Sequence, residues 1–308
     1  MTDSRRNAPL CLLTFHSPDG SSQECMAELT ALARPLALAK RRVLIHFAGV
    51  SSIDAARPQR LPANVELLEA SAMTADGLNY RGRKMSSACE FGKPAACGKT
   101  ELSPTEATVI RILNFVRSNE DVGLISQAVK QDPGLLHNLL RYLNSARMFF
   151  NTVNGGFRNI EQAIMFMGYR QFSRWLSLYL LHAAVEASMP ALYLASIVRA
   201  RQMEILAKPA GFTSKHHDRI FITGVFSLLH EITGLPMAAI LESLELDAPV
   251  RDALLEGSGD YAPLLALAAA GQGGAPAELS RRIAAVGVSA REVNLALLKA
   301  IQFASDFD

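Results

Sequence analysis

Hydrophobic positions along the chain follow one rule before about residue 100 and another after it. In the first part they come in short runs. Leu10 to Phe15 and Arg42 to Ala48 are β-like, Cys25 to Ala39 between them has helical periodicity, and Asn64 to Leu68 follows the turn signal Leu61-Pro62. This order predicts a small α/β domain over 1–70. Residues 71–102 lose periodicity and scatter Gly77, Gly82, Gly92, Pro94 and Gly98, which predicts a linker or irregular region.

From residue 103 the pattern predicts helix throughout. Ser103-Pro104-Thr105-Glu106 is a capping box with proline at the first helical position, and Val109, Ile110, Leu113 and Val116 follow at helical spacing. Asp132-Pro133 opens a second helix with a stripe of Leu135, Leu136, Leu139, Leu140 and Leu143. Further helices are expected near 160–167, ended by a left-handed cap at Gly168, and near 170–186, 191–208, 217–232, 236–244, 249–256, 261–270 and 290–305. Ser289 and Glu292 cap the last, Gly271-Gln272-Gly273-Gly274 reads as a loop, and Trp175 is expected in the core. The fold class is mainly α, with an all-helical unit at 103–308 behind the α/β piece.

Composition narrows the function. A net charge of +2 gives no basic field that would hold nucleic acid, so none is expected as a partner. No uninterrupted apolar run reaches the roughly 18 residues of a membrane span, and the N-terminus lacks the pattern of a signal peptide, so the expectation is a cytoplasmic protein with no membrane partner. Cys11, Cys25, Cys89 and Cys97 lack the close-spaced pairs of a zinc ribbon and read as reduced thiols. Gly98-Lys99-Thr100 fails as a phosphate loop, because Lys93 stands where the first glycine belongs and no strand leads in.

The helical part contains Gln131-Asp132-Pro133-Gly134-Leu135, then Leu139-Leu140-Arg141-Tyr142-Leu143-Asn144-Ser145-Ala146, then Ile160 to Gly168, then Arg174-Trp175, then Phe221 to His230. In order and spacing these resemble the HDOD domain, a relative of HD phosphohydrolases, over about residues 103–255. The resemblance implies a multi-helix HD-like fold and a regulatory role without an ordered metal site. An HD enzyme needs histidines and aspartates clustered around metals that activate water. Here the position of the His-Asp pair falls on His230-Glu231, and the helix that would supply the first histidine carries Arg199 and Arg201. His230 and Glu231 are therefore vestigial metal candidates only. His216-His217-Asp218 reads as a solvated helix start, with Asp218 in the first turn.

The stretch Arg42 to Phe47 and Leu61 to Glu69 is similar to part of the EAL domain of cyclic-di-GMP phosphodiesterases, with Glu69 in place of its first glutamate and Ala72 in place of its second. About one hundred residues cannot close an eight-stranded barrel that takes over two hundred. A truncated, degenerate EAL remnant and an unrelated small α/β cap both fit. The resulting expectation is a non-catalytic bacterial signal-transduction module, not an enzyme, that binds a protein partner in a signalling pathway and needs no cofactor. The alternatives are a nucleotide or cyclic-dinucleotide sensor and a weak metal-dependent phosphohydrolase. The ligand or partner candidates are Arg141, Asn144, Arg174, Arg199 and Arg201; arginine suits bidentate contact with phosphate, and Asn144 fits a local hydrogen bond to loop backbone equally well.

Overall fold

A computed structural model describes the strands between residues 11 and 85 and the stretches 101–143, 160–184, 190–272 and 276–304; side chains are described only in the helical stretches. Three strands fall at the expected places: β1 Cys11–His16, β2 Val43–Ala48 and β3 Val65–Leu67. They pair in parallel, in the order β1-β2-β3, with Cys11 opposite Val43 and Val43 opposite Val65. Parallel pairing requires crossover connections of about a dozen residues or more, and the intervening segments are long enough for that. The expected helix at 25–39 lies outside the described residues. Within the stretch expected to be irregular, β4 Met73–Thr74, β5 Gly77–Tyr80 and β6 Arg83–Met85 form an antiparallel meander. Gly77, expected in an irregular stretch, is the first residue of β5 and pairs with Thr74.

The described residues from 103 onward are helical, as expected. Helix α1 (Pro104–Arg117) starts on the expected capping box: Ser103 Oγ accepts from Glu106 N at 3.3 Å, and Ser103 N donates to Glu106 Oε2 at 2.6 Å. Helix α2 (Val122–Lys130) was not read from the sequence; Asp121 caps it by accepting from Gly123 N at 2.8 Å. Helix α3 (Pro133–Leu143) begins where Asp132 accepts from Leu135 N. It buries Leu135, Leu139 and Leu143, but Leu140 is 42% exposed, so the leucine stripe is narrower than its spacing implied.

Helix α4 (Ile160–Ala184) is two arms joined at Gly168, whose φ of 73° and ψ of 153° are non-helical. Glycine does end the first arm, but in an extended positive-φ conformation and not as a left-handed cap. Only glycine tolerates that region at little cost. Helix α5 (Pro190–Ala207) crosses α6 (His217–Phe226) so closely that a Cβ on Gly224 would stand 2.4 Å from Ala200 Cα. The helix expected over 217–232 is broken at Ser227-Leu228 and resumes as α7 (Leu229–Thr233). Ser227 Oγ bonds to Gly224 O at 2.8 Å, satisfying a carbonyl there and helping to end α6.

Short helices α8 (Met237–Glu242), α9 (Ala248–Leu255) and α10 (Ala262–Gly271) follow, then α11 (Pro276–Val286), which the sequence reading lacked, and α12 (Ala290–Ala304). Helix α10 absorbs Gly271, so the expected glycine loop starts later than proposed. Asn114 of α1 ties down the turn after α8, donating to Ser243 O at 2.9 Å and accepting from Glu245 N at 3.0 Å. The core runs through all of these elements, with α5 at its centre. Among the described residues no helix is long and apolar enough to cross a membrane.

Candidate functional site

Three of the charged residues singled out from the sequence, Arg174, Arg201 and Asp218, converge where α4, α5 and α6 meet. Arg174, one turn along the second arm of α4 beside the buried Trp175, reaches Glu204 of α5 with both guanidinium nitrogens, Nη1 at 2.5 Å and Nη2 at 3.0 Å. Its Nη1 also lies 3.3 Å from Asp218 Oδ1, and Arg170, four residues earlier, holds the other Asp218 oxygen at 2.5 Å. Arg201 closes on Glu204 from the same helix. Phe221 floors the cluster, with the Arg174 guanidinium 3.9 Å from its ring centroid; Phe303 of α12 lies 5.1 Å from Arg201. Arginine suits this place because its planar fork matches a carboxylate and its face stacks on an aromatic ring.

The cluster is largely withdrawn from water. The Arg174 and Glu204 side chains are 14% and 9% exposed. Burial pushes the Glu204 carboxyl up, but hydrogen bonds and charge from Arg174 and Arg201 outweigh it, and the net value lies below the ordinary carboxylate range. Burial likewise pulls Arg174 down, and its bonds to Glu204 together with the charges of Glu204 and Asp218 raise it overall. Asp218 does stand in the first turn of α6, as expected, but it is paired with Arg170 and Arg174 and so joins the ionic cluster instead of being merely solvated.

Arg199 faces the other way from Arg201. Its Nε and Nη2 donate to Gln272 Oε1 at 3.0 and 2.8 Å, its Nη1 donates to Ser227 Oγ at 3.0 Å, and Gln272 Nε2 donates to Ala195 O at 2.9 Å. Glutamine from the supposed loop therefore fastens the end of α10 to α5. One turn further on, Gln202 is fully buried and neither amide atom has a hydrogen-bond partner. Arg141 is exposed on α3, and Asn144 lies outside the described residues.

His230 and Glu231 sit on α7, which turns Leu229, Ile232 and Thr233 inward. The helical period therefore puts His230 and Glu231 on its outer side, with side chains 44% and 34% exposed and 3.8 Å apart. Among the described residues no group of three His, Cys, Asp or Glu side chains is placed to hold a metal ion. His216 turns inward and its Nδ1 lies 2.9 Å from the hydroxyl of buried Tyr261. Sequence reasoning missed Glu204, Phe221 and Gln272. Arg201 and Glu204 at i,i+3 spacing were the available sign; the partners on other helices had none.

Residues 102–247, a little under half of the chain, match the family model of the HDOD domain. The chain is 26% identical over 182 residues to the uncharacterized protein YuxH of Bacillus subtilis, covering 58% of this chain and 43% of that protein. It is 25% identical over 178 residues to the cyclic di-GMP phosphodiesterase CdgJ of Vibrio cholerae, covering 58% and 40%. The matched stretches thus span less than half the length of these curated relatives. No solved structure matches. The expectation that the chain is not an enzyme is corrected by this comparison, since a relative carries the name of a phosphodiesterase.

Proposed function

We propose that the HDOD region is a regulatory module of a signalling pathway and that it works by binding a protein partner. One observation carries this reading. Arg174 and Arg201, the arginines best suited to a phosphate ligand, are engaged by Glu204, while large apolar side chains, among them Leu124, Leu140, Met165 and Phe166, stand exposed on the same region. Exposed large apolar side chains serve protein recognition more than small anionic ligands. On this reading the helices after residue 247 extend the module to 103–308, and β2 and β3 fall in the stretch with EAL-like sequence. Titration calorimetry of the purified chain against candidate pathway proteins tests the reading. Saturable binding weakened by Leu140→Glu or Met165→Glu supports it, and no binding across the pathway's proteins refutes it.

The likeness to CdgJ favours cyclic di-GMP signalling as the pathway, and a second reading in which the chain handles that nucleotide itself. Thermal melting with and without cyclic di-GMP, together with a hydrolysis assay of the intact chain, separates the two. A shifted melting point or nucleotide turnover favours the second reading.

A further inference from the structure

The end of α10 covers a buried polar group that the fold leaves unmatched. Gln202 of α5 is fully buried, and neither its Oε1 nor its Nε2 has a hydrogen-bond partner. A Cβ on Gly271 would stand 3.8 Å from Gln202 Nε2, so the amide lies against the last turn of α10. An amide held dry without partners carries an unfavourable desolvation cost, and contact with water removes it.

That last turn is held differently from the rest of its helix. Earlier in α10, Ala262, Leu264, Leu267 and Ala268 are buried in the core. From Ala269 to Gln272 no residue is fully buried, and Gly271 has low helix propensity. The Gln272 side chain fastens the turn instead. Its Oε1 accepts from Arg199 Nε and Nη2, and its Nε2 donates to Ala195 O at 2.9 Å. Ala195, Arg199 and Gln202 follow i, i+4, i+7 spacing, so the clasp and the unmatched amide share one strip of α5.

The two glutamines pull in opposite directions. With the turn closed, the Gln272 bonds are made and Gln202 stays dry. With it open, water replaces the Gln272 bonds at modest net loss, and Gln202 gains partners for both amide atoms. Arg199 Nη1 still donates to Ser227 Oγ, so α5 and α6 remain joined. Opening of this turn therefore lies well below global unfolding in free energy.

We propose that residues 269–272 form a hinged flap on α5, clasped by Gln272 and loosened by Gln202, which opens while the rest of α10 stays docked. The flap is a conformational device of the fold, whichever partner the module binds.

Amide hydrogen exchange of the intact chain, read residue by residue, tests it. In the wild type the amides of 270–272 should exchange at least about tenfold faster than those of 265–268. Ordinary fraying gives the same contrast, so two variants decide. Gln202→Met keeps the side-chain length, removes the unmatched amide and should slow exchange in the flap at least about tenfold. Gln272→Ala should speed it by a similar factor, and neither variant should change the contrast between 265–268 and α5. Thermal melting checks that both fold, and Gln202→Leu serves if Gln202→Met does not. Exchange at one rate along all of α10 overturns the proposal. So does a flap indifferent to Gln202→Met, the result that a resident buried water on the amide would give.

Discussion

Replacing Glu204 by glutamine keeps the shape of the side chain and removes the charge that holds Arg174 and Arg201 together. As an ionic partner Arg174 would keep only Asp218, at 3.3 Å, while its side chain remains 14% exposed. Breaking one side of a buried ion pair costs about 3–5 kcal/mol, because the surviving charge stays out of water. The residual contact to Asp218 and the 35% exposure of Arg201 place the expected loss at the low end, about 3 kcal/mol. For a helical unit of this size that lowers the melting temperature by about 6–12 °C. Thermal melts and urea unfolding of Glu204→Gln, Arg174→Met and the double variant Arg174→Met with Glu204→Gln measure it. Removing both partners leaves no buried charge uncompensated except at the 35%-exposed Arg201, so the double variant should recover at least half of the single loss. A loss under about 1 kcal/mol for Glu204→Gln, or a double variant as unstable as the sum of the singles, would refute the account of the cluster as a buried brace.

The same carboxylate sets a pH dependence. Its folded value lies below the ordinary 4.5, so its contribution is present above that value and is lost as pH falls through the folded one. The stability gap between the wild type and Glu204→Gln should therefore close in acid, and urea midpoints from neutral pH downward check this. Gly224→Ala forces a Cβ to 2.4 Å from Ala200 Cα and should cost at least about 1–3 kcal/mol in thermal melts. Ala200→Gly should not rescue it, because the clash is with backbone. Gly168→Ala places a side chain at φ 73°, ψ 153° and should cost about 1–3 kcal/mol by the same measurement, although nothing lies within 4 Å of the new Cβ. His230→Ala, on an exposed side chain, should change stability by less than about 0.5 kcal/mol.

Local structure was legible in the sequence wherever a short-range rule governs it. The Ser103–Glu106 and Ser289–Glu292 boxes form as their residues dictate, because each partner lies within one turn of the other. The helical periodicity placed Val109, Ile110, Leu113 and Trp175 inside. The order of the HDOD-like segments was legible for the same reason, since it is a property of the chain itself. The sequence could not show that Arg174 of α4, Glu204 of α5 and Asp218 of α6 share one buried cluster, because their meeting depends on how three helices cross. Nor did spacing reveal that Leu140 points to solvent while Leu139 does not, or that Gln272, in the turn after α10, braces that helix to α5. Binary patterning fixes which face of a helix turns inward. Which charged groups are brought within hydrogen-bond reach, and so whether an arginine is free for a ligand or engaged by its own fold, is decided only when the helices pack.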